Sequence, residues 1–144
     1  MLKWGSALAF GLMVAGIVGL YYSGHLFGRH LWSIGVQVAA IALMIFARLT
    51  FGMRSFHATA NPTEGGIVTT GPYAFIRHPI YAAAMYFVWV GALDGPSAIA
   101  VAGAALVTIG AALRMWMEER LLVARYPEYR AYMTRVRRII PYCF

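Results

Sequence analysis

The sequence predicts an all-α, polytopic membrane protein with about four transmembrane helices and a C-terminal interfacial amphipathic helix. Three observations carry that prediction. Of the 144 residues, 61% are hydrophobic and only 12% charged, far from the balance of a water-soluble domain. The apolar residues are gathered into four long blocks, and nearly all the charge falls between or after them, as bilayer-spanning helices require. At this length residues 1–144 form a single membrane domain.

The first block, 4–22, is long enough to cross a hydrocarbon core of about 30 Å at about 1.5 Å per residue. Trp4 at one end and Tyr21 and Tyr22 at the other are interface anchors. No small-x-small cleavage signature closes the block, which argues against a signal peptide although Lys3 precedes it. The second helix is expected over about 31–49, with Arg48 near its end. The third, about 78–94, is short for a span and must borrow length from preceding residues or tilt little. Asp94-Gly95-Pro96 then makes a tight turn, with Asp94 a cap and Pro96 suited to the first position of a fourth helix over 96–117.

Basic residues set the orientation. With both termini cytoplasmic, eleven of the twelve Lys and Arg residues lie inside and only Arg29 outside. The net charge of +7 is then a matter of topology and anionic membrane lipid, and nucleic acid is not an expected partner. The short chain reads as a bacterial inner-membrane protein. The lone cysteine, Cys143, excludes an internal disulfide.

Small residues recur every fourth position in the first block (Ala7, Gly11, Ala15, Gly19) and in the fourth (Ala100, Ala104, Thr108, Ala112). Such stripes predict close helix–helix packing. No block carries a carboxylate or lysine in its interior, so a small proton-coupled exporter, which needs an embedded acid, is disfavoured. The sequence does not set the oligomeric state.

Chemistry-bearing residues concentrate in two places. The connector, 50–77, holds Arg54, His57 and the turn-rich run Asn61 to Gly66, then Gly71-Pro72-Tyr73 and Arg77-His78. Pro79 can start a helix, which puts His78 and Tyr81 near its electropositive N-terminal end. The tail, 118–144, follows the fourth helix. Arg114 and Glu118 are four apart and share a helical face, either as a solvated ion pair or as a polar site at the membrane boundary. Tyr129, Tyr132, Met133, Val136 and Ile140 recur opposite Arg130, Arg135, Arg137 and Arg138, which predicts an interfacial amphipathic helix that clasps the membrane surface.

Taken in order, Gly71-Pro72-Tyr73, Arg77-His78-Pro79-Ile80-Tyr81, Glu118-Glu119, Tyr129 and Tyr132, a basic stretch and Pro141 resemble the isoprenylcysteine carboxyl methyltransferase and phospholipid methyltransferase group. The resemblance covers roughly Arg54 onward. It implies an integral membrane enzyme using S-adenosyl-L-methionine without a Rossmann domain, and the chain has no glycine-rich strand-to-helix fingerprint. Carried over by residue, it puts cofactor contacts on Gly65, Gly66, Ile67, Val68, Tyr73, His78, Pro79, Ile80, Tyr81 and Glu118. It puts Arg114 against the methyl acceptor, a lipophilic small molecule or lipid with a carboxylate, amine or thiol. Glu119 is a candidate base where the acceptor must lose a proton, and no metal site is expected.

Two rival readings remain. A sterol-type reductase would share the tyrosine-rich Ile-Pro-Tyr tail and bind NADPH. A noncatalytic subunit or transporter would share the spans but leave the grouping of His78, Tyr81, Arg114 and Glu118 unexplained.

Overall fold

Apolarity and good helix formers act together along four segments, and all four are helical. The computed structural model describes residues 2–52 and 66–141. Its elements are α1 (Leu2–Tyr22), α2 (Leu31–Phe51), a 3-10 turn (Gly71–Ala74), α3 (Pro79–Asp94), α4 (Ala98–Arg125) and α5 (Tyr129–Arg135). Among the described residues α1, α2 and α4 are long and apolar enough to cross a membrane. At 16 residues α3 is the shorter apolar helix; at a rise of about 1.5 Å per residue it covers roughly 24 Å. The protein is a helical integral membrane protein.

The helices pack as a row. α1 lies against α4, α4 against α3, and α3 against α2, while α1 barely meets α3. In α1 the packed face is Ser6, Ala9, Met13, Gly16 and Leu20, all buried, at the alternating three- and four-residue spacing of a helix seam. The expected stripe of Ala7, Gly11, Ala15 and Gly19 is exposed instead. Period four drifts around a helix of 3.6 residues per turn, so small size alone did not locate the seam. On α4 the expected Ala100 and Ala104 are buried, joined by Gly103, Val107, Gly110 and Ala111, and Ala112 is exposed.

Glycine makes that seam close. A Cβ on Gly110 would stand 2.5 Å from the Ala9 carbonyl oxygen, whereas Gly11 has nothing within 4 Å. Gly110→Leu is therefore expected to destabilise by about 1–3 kcal/mol through overpacking, and Gly11→Leu by less than about 0.5 kcal/mol. Thermal unfolding of the two variants in detergent checks the contrast.

At the turn end the chain fixes its loops with side chains. Asp94 accepts from the Arg29 and His30 amides and pairs with His30 Nδ1 at 2.7 Å, so it ties the end of α3 to the loop entering α2. Gln37, buried within α2, donates to the Leu26 and Phe87 carbonyls at 2.8 and 3.0 Å and accepts from the Gly28 amide at 2.9 Å. Loop backbone within a membrane must be satisfied internally, and Gln37 does this for the α1–α2 loop. Ser97 caps α4 by accepting from Ala100 N at 3.1 Å, so Pro96 lies before the cap and not in the first turn.

Two boundaries differ from the sequence expectation. α4 runs on to Arg125 because Met115 to Arg125 are helix formers, and Pro127 follows to stop it. α5 stops at Arg135. Beyond it the backbone turns back onto the head of α3: Ile76 bridges Arg137 in parallel, Arg77 N donates to Arg137 O at 2.7 Å, and His78 N to Arg138 O at 3.0 Å. Tyr86 Oη also donates to Ile139 O at 2.5 Å. Those ladder bonds use residues 77 and 78, which is why α3 begins at Pro79 and borrows no length upstream.

Candidate active site

Because α4 continues as a helix past Met117, Glu118 and Glu119 point about 100° apart. Each carboxylate finds a different set of partners. Pro79 sits at the first position of α3 as expected, which leaves His78 at the cap and Tyr81 within the first turn. Antiparallel packing of α3 on α4 then brings both against the carboxylates.

Glu119 is buried at 4% exposure and receives three basic side chains. Arg77 donates through Nε and Nη2 at 3.0 and 2.9 Å, Arg138 through Nη2 at 2.8 Å, and His78 Nε2 lies at 3.1 Å. Arg77 Nη1 also donates to the carbonyls of Met133, at 3.0 Å, and Val136. One carboxylate therefore ties α4, the head of α3 and the tail together. Two guanidiniums on one buried carboxylate keep it ionised, in the geometry that favours a strong charge-assisted network.

Glu118 has a different setting. Its side chain is 24% exposed, accepts a hydrogen bond from Tyr81 Oη, and lies 3.4 Å from Arg114 Nη2 and 4.0 Å from His78 Nδ1. Arg114 is buried at 4%, donates through Nε to Tyr81 Oη at 2.7 Å, and through Nη1 to the Ser6 carbonyl at 3.2 Å. Its guanidinium lies between the rings of Phe10 and Tyr81, at 5.3 and 5.9 Å. The Arg114–Glu118 pair is thus part of a network and not a solvated surface pair.

The grouping of His78, Tyr81, Arg114 and Glu118 expected from the sequence is present, with Glu119 beside it. Tyr73 is buried and its carbonyl accepts from Tyr132 Oη at 2.5 Å. Burial pushes the Tyr73 and Tyr129 phenols well up, and pushes Tyr132 up to about 12 against the opposing pull of Arg77, so all three are neutral hydrogen-bonding groups at ordinary pH. Pro79 is buried and Ile80 half-buried. Gly66, at φ +81°, leads into Ile67 and Val68, which line a cleft of about 450 Å³ with Thr50, Phe51, Gly52, Thr69 and Thr70. The Phe51 ring, which lines this cleft, lies 5.5 Å from the Tyr73 ring. Gly65, with Arg54 and His57, lies outside the described residues.

Four contributors were not assigned from sequence. Arg77 stood inside the quoted motif next to His78, so its adjacency was the available signal. Arg138 read as one charge on the polar face of an interfacial helix, and nothing local marks its return to Glu119. Ser6 contributes only a carbonyl and Phe10 only a ring, neither of which a pattern of residue types reveals.

A family description matches much of this arrangement. Residues 31–124 match the model of the isoprenylcysteine carboxyl methyltransferase family. No curated protein and no solved structure matches the chain. The match takes in α2, upstream of the Arg54 start of the resemblance, and stops before α5, so Tyr129, Tyr132 and Pro141 lie beyond it. It favours methyl transfer over reduction or transport. Covering well over half of the sequence, it shows that the chain belongs to the isoprenylcysteine carboxyl methyltransferase family and is a membrane methyltransferase.

Proposed function

We propose that the protein transfers a methyl group from S-adenosyl-L-methionine to a lipophilic acceptor at the cytoplasmic face of the membrane. The observation that carries this is the contrast between the two adjacent carboxylates. Glu119 is buried and held by Arg77 and Arg138, while Glu118 is partly open beside Tyr81, His78 and Arg114. An open carboxylate flanked by aromatic rings suits a ligand with an ammonium, hydroxyls and a sulfonium. Glu118 would accept from those donors, Tyr73 and Tyr81 would face the cation, and His78 would bond the ligand's polar edge. The Ile67–Val68 segment and its cleft offer backbone groups to the same ligand.

When bound, the cofactor supplies a methyl group already activated on sulfur. What remains for the protein is alignment and exclusion of water, and no side-chain nucleophile is needed. Arg114, fixed by Tyr81, Ser6 and Glu118, is suited to orient an anionic acceptor such as a prenylcysteine-like carboxylate. A carboxylate acceptor needs no base; a lipid amine or thiol would. We assign Glu119 to holding His78, since a carboxylate bound by Arg77 and Arg138 is a poor proton acceptor. The charge bias, with eleven of the twelve basic residues on one side in the four-helix topology, supports a cytoplasmic placement of both termini, in what we read as a bacterial inner membrane.

Calorimetry with purified protein in detergent tests the proposal. S-adenosyl-L-methionine should bind, NADPH should give no heat, and Glu118→Ala should weaken cofactor binding by about 10–100-fold, the loss of one charge-assisted hydrogen-bonded partner. His78→Ala should weaken it as well. Absence of cofactor binding to the native protein, or unchanged affinity in both variants, refutes it.

A further inference from the structure

The family match begins at residue 31, yet Arg114 is held on one side by α1. The Ser6 carbonyl takes its Nη1, and the Phe10 ring lies 5.3 Å from its guanidinium carbon. Phe10 is nonetheless 44% exposed, and Val14 and Val18, one and two turns further on the same helix, are 42% and 45% exposed. Each step of four residues turns only about 40° around the helix, so the three lie on one slanting face. Together they form an apolar strip of about 12 Å that starts at the buried guanidinium and runs into the hydrocarbon region. Beside it α1 barely meets α3, so among the described residues α4 alone closes this flank of the row.

A ligand with an anionic head and an apolar chain has its two chemistries met in that order. The guanidinium offers a planar, charged partner to the head. The strip begins where the head ends and offers a continuous apolar surface for the chain. Polar headgroups of bulk lipid lie at the membrane surface, whereas Arg114 is buried at 4% among groups from three helices, so an ordinary lipid has no comparable anchor there.

We infer that α1 forms the acceptor-chain wall of the site, with Phe10, Val14 and Val18 setting the length of hydrocarbon chain that is accepted. The inference rests on the methyl-transfer reading and extends it to substrate selection by a helix outside the matched segment.

The test uses the full chain in nanodiscs, N-acetylcysteine carrying a short or a long S-prenyl chain as acceptors, and labelled S-adenosyl-L-methionine. Phe10→Ala is expected to raise KM for both acceptors by about tenfold, and Phe10→Leu to restore most of it, as loss and return of apolar contact area predict. Val18→Trp should shift the preference between long and short chains by about tenfold, because the bulk meets only the longer chain. Val38→Trp, on the exposed face of α2, should change neither acceptor. Cofactor binding is measured in parallel by calorimetry. If Val18→Trp leaves the long-to-short preference unchanged, or if Phe10→Ala leaves both KM values unchanged, the inference is overturned. It is also overturned if the native protein binds cofactor and methylates neither acceptor. Absence of cofactor binding to the native protein instead removes the methyl-transfer reading beneath it.

Discussion

Glu119→Ala is expected to lower the thermal midpoint by roughly 10 °C, the consequence of about 3–5 kcal/mol lost when a buried ion pair is broken by removing one partner. Glu119 has lost its water and compensates for it with Arg77, Arg138 and His78. Without the carboxylate, the Arg77 guanidinium stays buried at 9% exposure with carbonyls as its remaining partners. The tail would lose the side-chain link from Arg138, although the backbone bonds from Arg77 and His78 persist. Glu119→Gln isolates charge from volume: the shape is kept and the anion removed, and a comparable drop is expected. Thermal unfolding in detergent, with proteolysis near Arg125 and Arg130 as a second readout, measures both. A midpoint within about 2 °C of the native protein in both variants would show that the cluster carries little stability.

Arg114→Ala is the second large effect, and it lies on turnover. The guanidinium is held by Tyr81, Ser6 and Glu118, so its position is defined before any acceptor arrives. On the proposed role of Arg114, removing a preorganised charge that orients a reactant costs about 100–1,000-fold in kcat/KM. Arg114→Lys keeps the charge and loses the planar fork, so it should recover only a small part. Steady-state methylation with a prenylcysteine acceptor reads this directly. Recovery of native turnover by lysine would mean that charge alone suffices. Arg114→Ala also opens a space between Phe10 and Tyr81, so the thermal midpoint should be recorded with the rates.

Much of the architecture was legible in the sequence because membrane helices obey few rules. Long apolar blocks, a proline at a helix start and a turn built on Asp94-Gly95-Pro96 each state a local preference that packing did not overrule. The seam of α1 was not legible, since Ala7 and Gly11 are as small as Gly16 and only the three-four alternation of Ser6, Ala9, Met13 and Gly16 separates the two faces. The end of α4 was not legible from hydropathy, which ends near Arg114, whereas helix propensity continues to Arg125.

For the site, the legible part was whatever lies one helical turn apart. Arg114 with Glu118, and His78 with Tyr81, follow from spacing on two helices, and the family resemblance drew the pairs together. Long-range partners left no such mark. Arg138 meets Glu119 because the chain turns back after Arg135, and Ser6 meets Arg114 because α1 lies antiparallel along α4. A side chain's eventual partner across more than a hundred residues is decided by tertiary packing alone.

The short α3 has a mechanical consequence. At about 24 Å it falls roughly 6 Å below a hydrocarbon thickness of about 30 Å, while its neighbours in the row are longer. The mismatch can be met by thinning the bilayer around it or by drawing the head of α3 below the plane of the phosphates. Acyl-chain length in the surrounding membrane therefore becomes a variable that acts on the enzyme without touching it.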